Sequence, residues 1–104
     1  MDFSLDKEKN DLYVNFTEDL DSAECKKIKN VLDGYIIKCQ PKKVYLDLSK
    51  VNFMDSSGIG LIMGRYKISK MLNAEMIILN PNDKIRKIMS ISSIDQIVDI
   101  VEDV

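Results

Sequence analysis

Leu12, Val14 and Phe16 alternate with Tyr13, Asn15 and Thr17, a period of two that predicts a strand with one buried and one wet face. Phe3-Ser4-Leu5 precedes it across the polar link Lys9-Asn10-Asp11, so the chain opens as a β-hairpin. The period then lengthens, and a helix is expected over residues 22–32, ending near Gly34. Asp21 or Ser22 is its cap, Glu24 lies in its first turn, and Lys26, Lys27 and Lys29 follow, as the helix dipole prefers. A connection through Tyr35-Ile36-Ile37 ends at Pro41. Val44, Tyr45, Leu46 and Leu48 then predict a buried strand, closed by Ser49, Lys50 and Asn52.

Asp55 is a good N-cap for a second helix running from Ser56 to about Leu72. At about 100° per residue, Ile59, Ile62, Met63 and Tyr66 fall on one stripe and Leu61, Ile68 and Leu72 on another, roughly opposite. One stripe must cover the sheet; a neighbouring helix or a protein partner can cover the other. Gly58, Gly60 and Gly64 each cost roughly 1 kcal/mol relative to Ala inside a helix, so sheet or partner is expected to approach the backbone closely. After a turn at Asn73, residues 75–79 predict another buried strand. Asn80 is expected to cap a helix opening at Pro81, with Ile85, Ile88 and Met89 facing inward. Ser92-Ser93 break it, and residues 96–101 predict a last strand. The order ββαβαβαβ implies an α/β fold: a mixed four- to five-stranded sheet with an N-terminal hairpin and parallel strands joined by helices.

With 104 residues the chain is expected to be one domain, residues 1–104, with a single core. A formal net charge of -2 argues against nucleic acid as a partner, and Lys38, Lys42 and Lys43 read as a solvated loop. No secretion signal and no apolar run of membrane-spanning length is visible, so a cytoplasmic protein without a membrane partner is expected, a monomer when free. Cys25 and Cys39 are too few and too far apart for a disulfide scaffold or a metal pair. The chain has no histidine. That removes Ser-His-Asp hydrolysis, histidine general bases and nearly every zinc site, so neither an enzyme nor a metal or cofactor is expected.

What remains is the Asp55-Ser56-Ser57-Gly58 segment, a pair of hydroxyls at the positive end of a helix dipole, on a loop leaving the carboxyl end of a strand. The two serines either only start the helix or form a site. The run Phe53-Met54-Asp55-Ser56-Ser57-Gly58-Ile59-Gly60, followed by Gly64-Arg65-Tyr66-Lys67, resembles the phosphorylation segment of the STAS-domain anti-sigma factor antagonists, above all their sporulation branch, the anti-sigma F factor antagonists. The likeness spans about residues 12–101. It implies the STAS fold and phosphorylation of the serine directly after the aspartate, Ser56. It implies a partner surface of Asp21, Asp55, Ser56, Ser57, Gly58, Ile59, Gly60 and Leu61.

By the same resemblance, the unmodified chain binds a GHKL-type kinase anti-sigma factor carrying ATP or ADP and so releases a sigma factor. Phosphorylation ends binding, and a PP2C-type serine phosphatase reverses it. Leu20-Asp21 match a turn beside the phosphoserine loop, while Glu18 and Asp19 stand where the family commonly has Gly and Glu. Related sporulation proteins continue into a further helix beyond the position of Val104, so an exposed sheet edge or helix face is expected here. Two alternatives stay open. One is a ligand- or nucleotide-binding STAS module, or a stress-type regulator, not controlled by phosphorylation; the glycines lack the Lys-Ser/Thr end of a P-loop. The other is a serine nucleophile, which has no G-x-S-x-G elbow to support it.

Overall fold

The computed structural model describes residues 1–102. The expectation attached to the end of the chain at Val104 lies outside them. The elements are β1 (Asp2–Asp6), β2 (Asp11–Asn15), α1 (Ser22–Cys39), β3 (Lys43–Asp47), α2 (Ser56–Met71), β4 (Glu75–Leu79), α3 (Asp83–Ile91), a 3₁₀ turn (Ile94–Gln96) and β5 (Asp99–Val101). The five strands stand in the order β1-β2-β3-β4-β5. β1 is antiparallel to β2, and every later pair is parallel.

Each helix therefore links two neighbouring parallel strands, and the sheet advances in the same direction at every link. Such crossovers are right-handed in about 98% of cases, so three of them in sequence lay all three helices on one face. The core agrees. Leu12, Val14, Val44, Leu46, Met76 and Ile78 of the strands form one cluster with Ile28, Leu32 and Ile36 of α1, Leu61 and Ile62 of α2, and Ile85 and Met89 of α3. The fold is a two-layer α/β structure with a mixed sheet, as the periodicity predicts.

Three boundaries and one helix face differ from the sequence reading, each for a specific physical reason. α1 does not stop near Gly34 but runs to Cys39, where Gln40 takes a left-handed conformation (φ 45°) and donates its N–H to the Ile36 carbonyl at 3.1 Å. Ile36 continues the buried stripe of Cys25, Ile28 and Leu32. Burying it contributes about 2 kcal/mol, more than the roughly 1 kcal/mol that an interior glycine costs.

α3 starts two residues later than expected. Asn80 is left-handed (φ 56°) and its N–H is tied to the Val101 carbonyl at 3.0 Å, so Asn82 becomes the cap, accepting from the Ile85 N–H at 2.8 Å. The last strand shrinks to Asp99–Val101, because Ile94 and Val98 turn into the core through the 3₁₀ segment.

The fourth difference concerns α2. Leu61 and Ile62, which the periodicity put on opposite stripes, are both buried, and the inward face is Gly58, Leu61, Ile62, Arg65 and Ser69. The helix sits over the sheet and against α1 at once, so its buried arc spans both stripes. Arg65 is only 4% exposed; its Nε lies 2.8 Å from Asp33 Oδ1 of α1. The contact is an ion pair without hydrogen-bond alignment, and Arg65 Nη1 and Ser69 Oγ are buried with no hydrogen-bond partner among the described residues.

Of the three α2 glycines only Gly58 is closely approached. A Cβ there would collide with Met54 Cγ and lie 2.9 Å from the Leu20 carbonyl oxygen, whereas at Gly60 and Gly64 it would meet nothing within 4 Å. Gly58→Ala should therefore lower stability by about 1–3 kcal/mol, the usual range for an overpacked site. Gly60→Ala and Gly64→Ala should each raise it by up to about 1 kcal/mol. Urea unfolding checks this, and equal shifts for the three variants would refute the distinction.

Candidate functional site

Two loops leave the carboxyl ends of neighbouring parallel strands: residues 16–21 after β2 and residues 48–55 after β3. They are pinned to each other. Leu20 and Met54 form an isolated parallel bridge, with the Leu20 N–H donating to the Phe53 carbonyl at 3.0 Å and the Asp55 N–H reaching the Leu20 carbonyl at 3.4 Å. Both bridge residues are buried, Leu20 completely. Asp19 adds a second tie: its Oδ1 accepts from the Asn52 N–H at 2.8 Å and from the Phe53 N–H at 3.1 Å.

The residues that follow the bridge, Asp21 and Asp55, are the caps of the two helices. Asp21 Oδ1 accepts from the Glu24 N–H at 2.9 Å, and Asp55 Oδ1 accepts from the Ser57 N–H at 2.8 Å. Both capping assignments of the sequence reading hold. The parallel bridge thereby sets two helix N-termini side by side, each with a carboxylate over its free amides.

Ser56 is the first residue of α2 and is exposed; Ser57 is half-buried. Ser57 faces a shallow interhelical groove of about 300 Å³, lined by Ser22, Cys25, Lys26 and Lys29 of α1 and by Gly60, Leu61, Gly64 and Arg65 of α2. On the other side of α1 lies an acidic depression formed with Glu18, Asp19, Asp21 and Glu24, where Lys27 is the one cation. The serine loop thus stands between a basic groove and an acidic depression. The Cys25 thiol is held above its ordinary range by burial first and then by Asp55, Asp21 and Glu24, against a smaller lowering effect of Arg65. Asp55 and Asp21 thus act on one thiol, so the caps share a local field.

Of the residues that the family pattern singles out, the fold brings Asp21, Asp55, Ser56, Ser57 and Gly60 together at one surface. Gly58 and Leu61 are turned inward, and Ile59 is half-buried against the core. The close approach at Gly58 comes from this chain's own Leu20 and Met54. Sequence reasoning missed the Asp19 tie and the Lys26, Lys29 and Arg65 side of the groove. Arg65 had a signal, since it stands seven residues after Gly58 and four after Leu61, on their helical face. Asp19 had none, because its partners are backbone amides more than thirty positions away.

A family model described as STAS domain matches residues 2–104. The anti-sigma F factor antagonist of Paenibacillus polymyxa is 30% identical over 91 residues, covering 88% of this chain and 78% of that protein. The anti-sigma-B factor antagonist of Listeria monocytogenes serovar 1/2a is 26% identical over 82 residues, 79% of this chain and 71% of its own length. Among solved structures, the anti-sigma factor antagonist SpoIIAA in its unphosphorylated form superposes with a TM-score of 0.74 at 21% identity, covering 99% of this chain and 90% of that one. That structural likeness concerns the fold.

Asp19 is expected to hold the serine loop in place. Asp19→Ala should cost about 2 kcal/mol, as two hydrogen bonds to one charged acceptor are lost, and Asp19→Asn less, because the amide oxygen still accepts. Hydrogen exchange at the Asn52 and Phe53 amides reads the effect locally. Unchanged protection of those two amides in Asp19→Ala would refute the role.

Proposed function

The chain belongs to the STAS-domain family and, within it, to the anti-sigma factor antagonists, and from that premise we propose that it is a phosphorylation-controlled switch acting through Ser56. Unmodified, it binds a GHKL-type kinase anti-sigma factor holding ATP or ADP and frees the sigma factor. Phosphorylated on Ser56, it lets go, and a PP2C-type phosphatase resets it. The observation that carries this reading is the placement of Ser56: exposed at the first turn of α2, on a loop fixed by the Leu20 bridge and the Asp19 carboxylate. A kinase needs a hydroxyl that can reach its γ-phosphate, and Ser56 is exposed. ATP, Mg²⁺ and the base belong to the kinase, and this chain contributes only the acceptor. The absence of histidine fits a chain without catalytic chemistry of its own.

Magnitudes favour control of binding over control of folding. A phosphate at Ser56 adds about -1.5 to -2 charge at a helix N-terminus, worth roughly 0.3–2 kcal/mol, and nearby Asp55 and Asp21 offset this by about 1 kcal/mol each in a water-like dielectric. The fold is nearly indifferent. A charge buried at an interface without a matching cation costs about 2–5 kcal/mol, or roughly 30-fold to several thousand-fold in affinity.

Ser56 rather than Ser57 is the expected acceptor. Incubation with the cognate kinase and ATP, followed by peptide mass spectrometry, should place the label on Ser56, and a Ser56→Ala chain that still takes up label would overturn the assignment.

Ser56→Asp should be a well-folded non-binder. Its melting temperature should stay close to that of the parent, since dipole gain and Asp55 repulsion cancel to within about 1 kcal/mol. Affinity for the kinase anti-sigma factor, measured by calorimetry with nucleotide present, should fall at least about 30-fold. Near-parental affinity would place the switch elsewhere on the chain.

A further inference from the structure

We propose that the sheet face opposite the helices is a second docking surface, and that its occupant is a basic amphipathic helix of a protein partner. Because α1, α2 and α3 lie on one side, the residues of opposite parity on each strand form a face that no helix among the described residues covers. Parallel sheets are ordinarily covered on both faces, so a mainly parallel sheet with one bare side is incomplete as a layered structure. The strand register shows what the bare side carries. Tyr13, Tyr45 and Ile77 stand in one cross-strand row, and Leu79 and Val101 stand in the next. The two tyrosine rings stack with centroids 4.5 Å apart and planes within 5°. None of these five joins the main core cluster; Tyr13 and Tyr45 are half-buried and Val101 is exposed, while Ile77 and Leu79 between them are already buried by their neighbours and form the floor of the stripe. Together they make an apolar and aromatic stripe crossing β2 to β5.

Charge decides what fits. On the same face the register places Asp2 and Asp6 of β1, Asp11 of β2, Asp47 of β3, Glu75 of β4 and Asp99 of β5. Lys43 is the only cation of the strands there, with Lys9 close to Tyr13 from the β1–β2 turn. Asp11 is only 6% exposed, and no hydrogen bond or ion pair among the described residues holds its carboxylate. Burial first, then Tyr45 and Asp11, hold the Tyr13 hydroxyl above its ordinary range, as expected beside a carboxylate. A second copy of this chain meeting face to face would set these acids against their own kind. A partner with Lys and Arg flanking an apolar stripe matches both the stripe and its rim. Three gaps of about 4.8 Å separate β2 from β5, so three turns of helix, about 16 Å, span the stripe. Such a helix would lie across the face that the described helices leave open.

The test uses the full chain, labelled with ¹⁵N, and a synthetic three-turn helical peptide with a leucine stripe between lysines and arginines. Expected are shift changes at Tyr13, Tyr45, Ile77 and Leu79, and affinity at least about tenfold above that of a scrambled peptide of the same composition. Glu75→Lys combined with Asp99→Lys changes two exposed positions whose side chains make no hydrogen bond among the described residues, so the fold should hold. This variant should bind the helical peptide at least about tenfold more weakly while keeping its affinity for the kinase anti-sigma factor. Shift changes confined to the α1–α2 groove, equal affinity for the scrambled peptide, or unchanged affinity of the variant would each overturn the proposal. Loss of kinase binding by the variant would overturn it too, because the face would then belong to the switch surface. So would self-association of the parent chain through this face in sedimentation.

Discussion

Two peptide groups, Leu20 and Met54, are held together at the carboxyl edge of the sheet, and the geometry of the serine loop follows from that contact. β2 and β3 are parallel neighbours, and the bridge carries their pairing beyond the strands into the two connecting loops. Everything after it is thereby fixed: Asp21 and Asp55 fall next in their chains, each caps a helix, and the two helices leave the sheet side by side. The bridge also needs room beneath it. Gly58 provides that room, since any side chain there would press on Leu20 and Met54. In the Asp-Ser-Ser-Gly run, then, the glycine serves the bridge, the aspartate caps the helix, and the first serine is left exposed.

Much of this was legible in the residues, and the parts that were not have a common cause. Period-two alternation found β2, and short apolar runs found β3 and β4, because one or both faces of these strands are buried in the way their residues require. The caps of α1 and α2 were legible because capping is local chemistry between residues two or three apart. α1 was read too short because Gly34 is a local penalty, while the burial of Ile36 is a tertiary gain that no neighbouring residue reports. Asn80 was read as a cap because its type suits one. Its N–H is instead committed to Val101 across the sheet.

The site follows the same division. Its residues of the Asp55-Ser56 run could be named from sequence, but Asp19 and Arg65 act through partners distant in the chain. Arg65 is the sharper case: an arginine buried between two helices looks like a surface residue in composition, and only its place on the Gly58–Leu61–Ser69 face gives it away. Its ion pair with Asp33 couples α2 to α1 at the base of the groove. Loss of Asp33 would leave the buried Arg65 guanidinium without its counter-charge, so the two residues depend on each other at this position.

The one-way advance of the strands ties these features into a single design. It stacks α1 and α2 next to each other, so that their N-termini can share a field. It also leaves the opposite side of the sheet without helices. On the helical side charge is partitioned, acids toward the start of α1 and Lys26, Lys29 and Arg65 along the groove. On the bare side it is almost all of one sign. Acids on an open face repel one another, a cost that salt screens and that a cationic partner would relieve further, whereas self-pairing would increase it. The same topology that fixes two capped helix starts at one edge of the sheet therefore leaves its other face open and acidic.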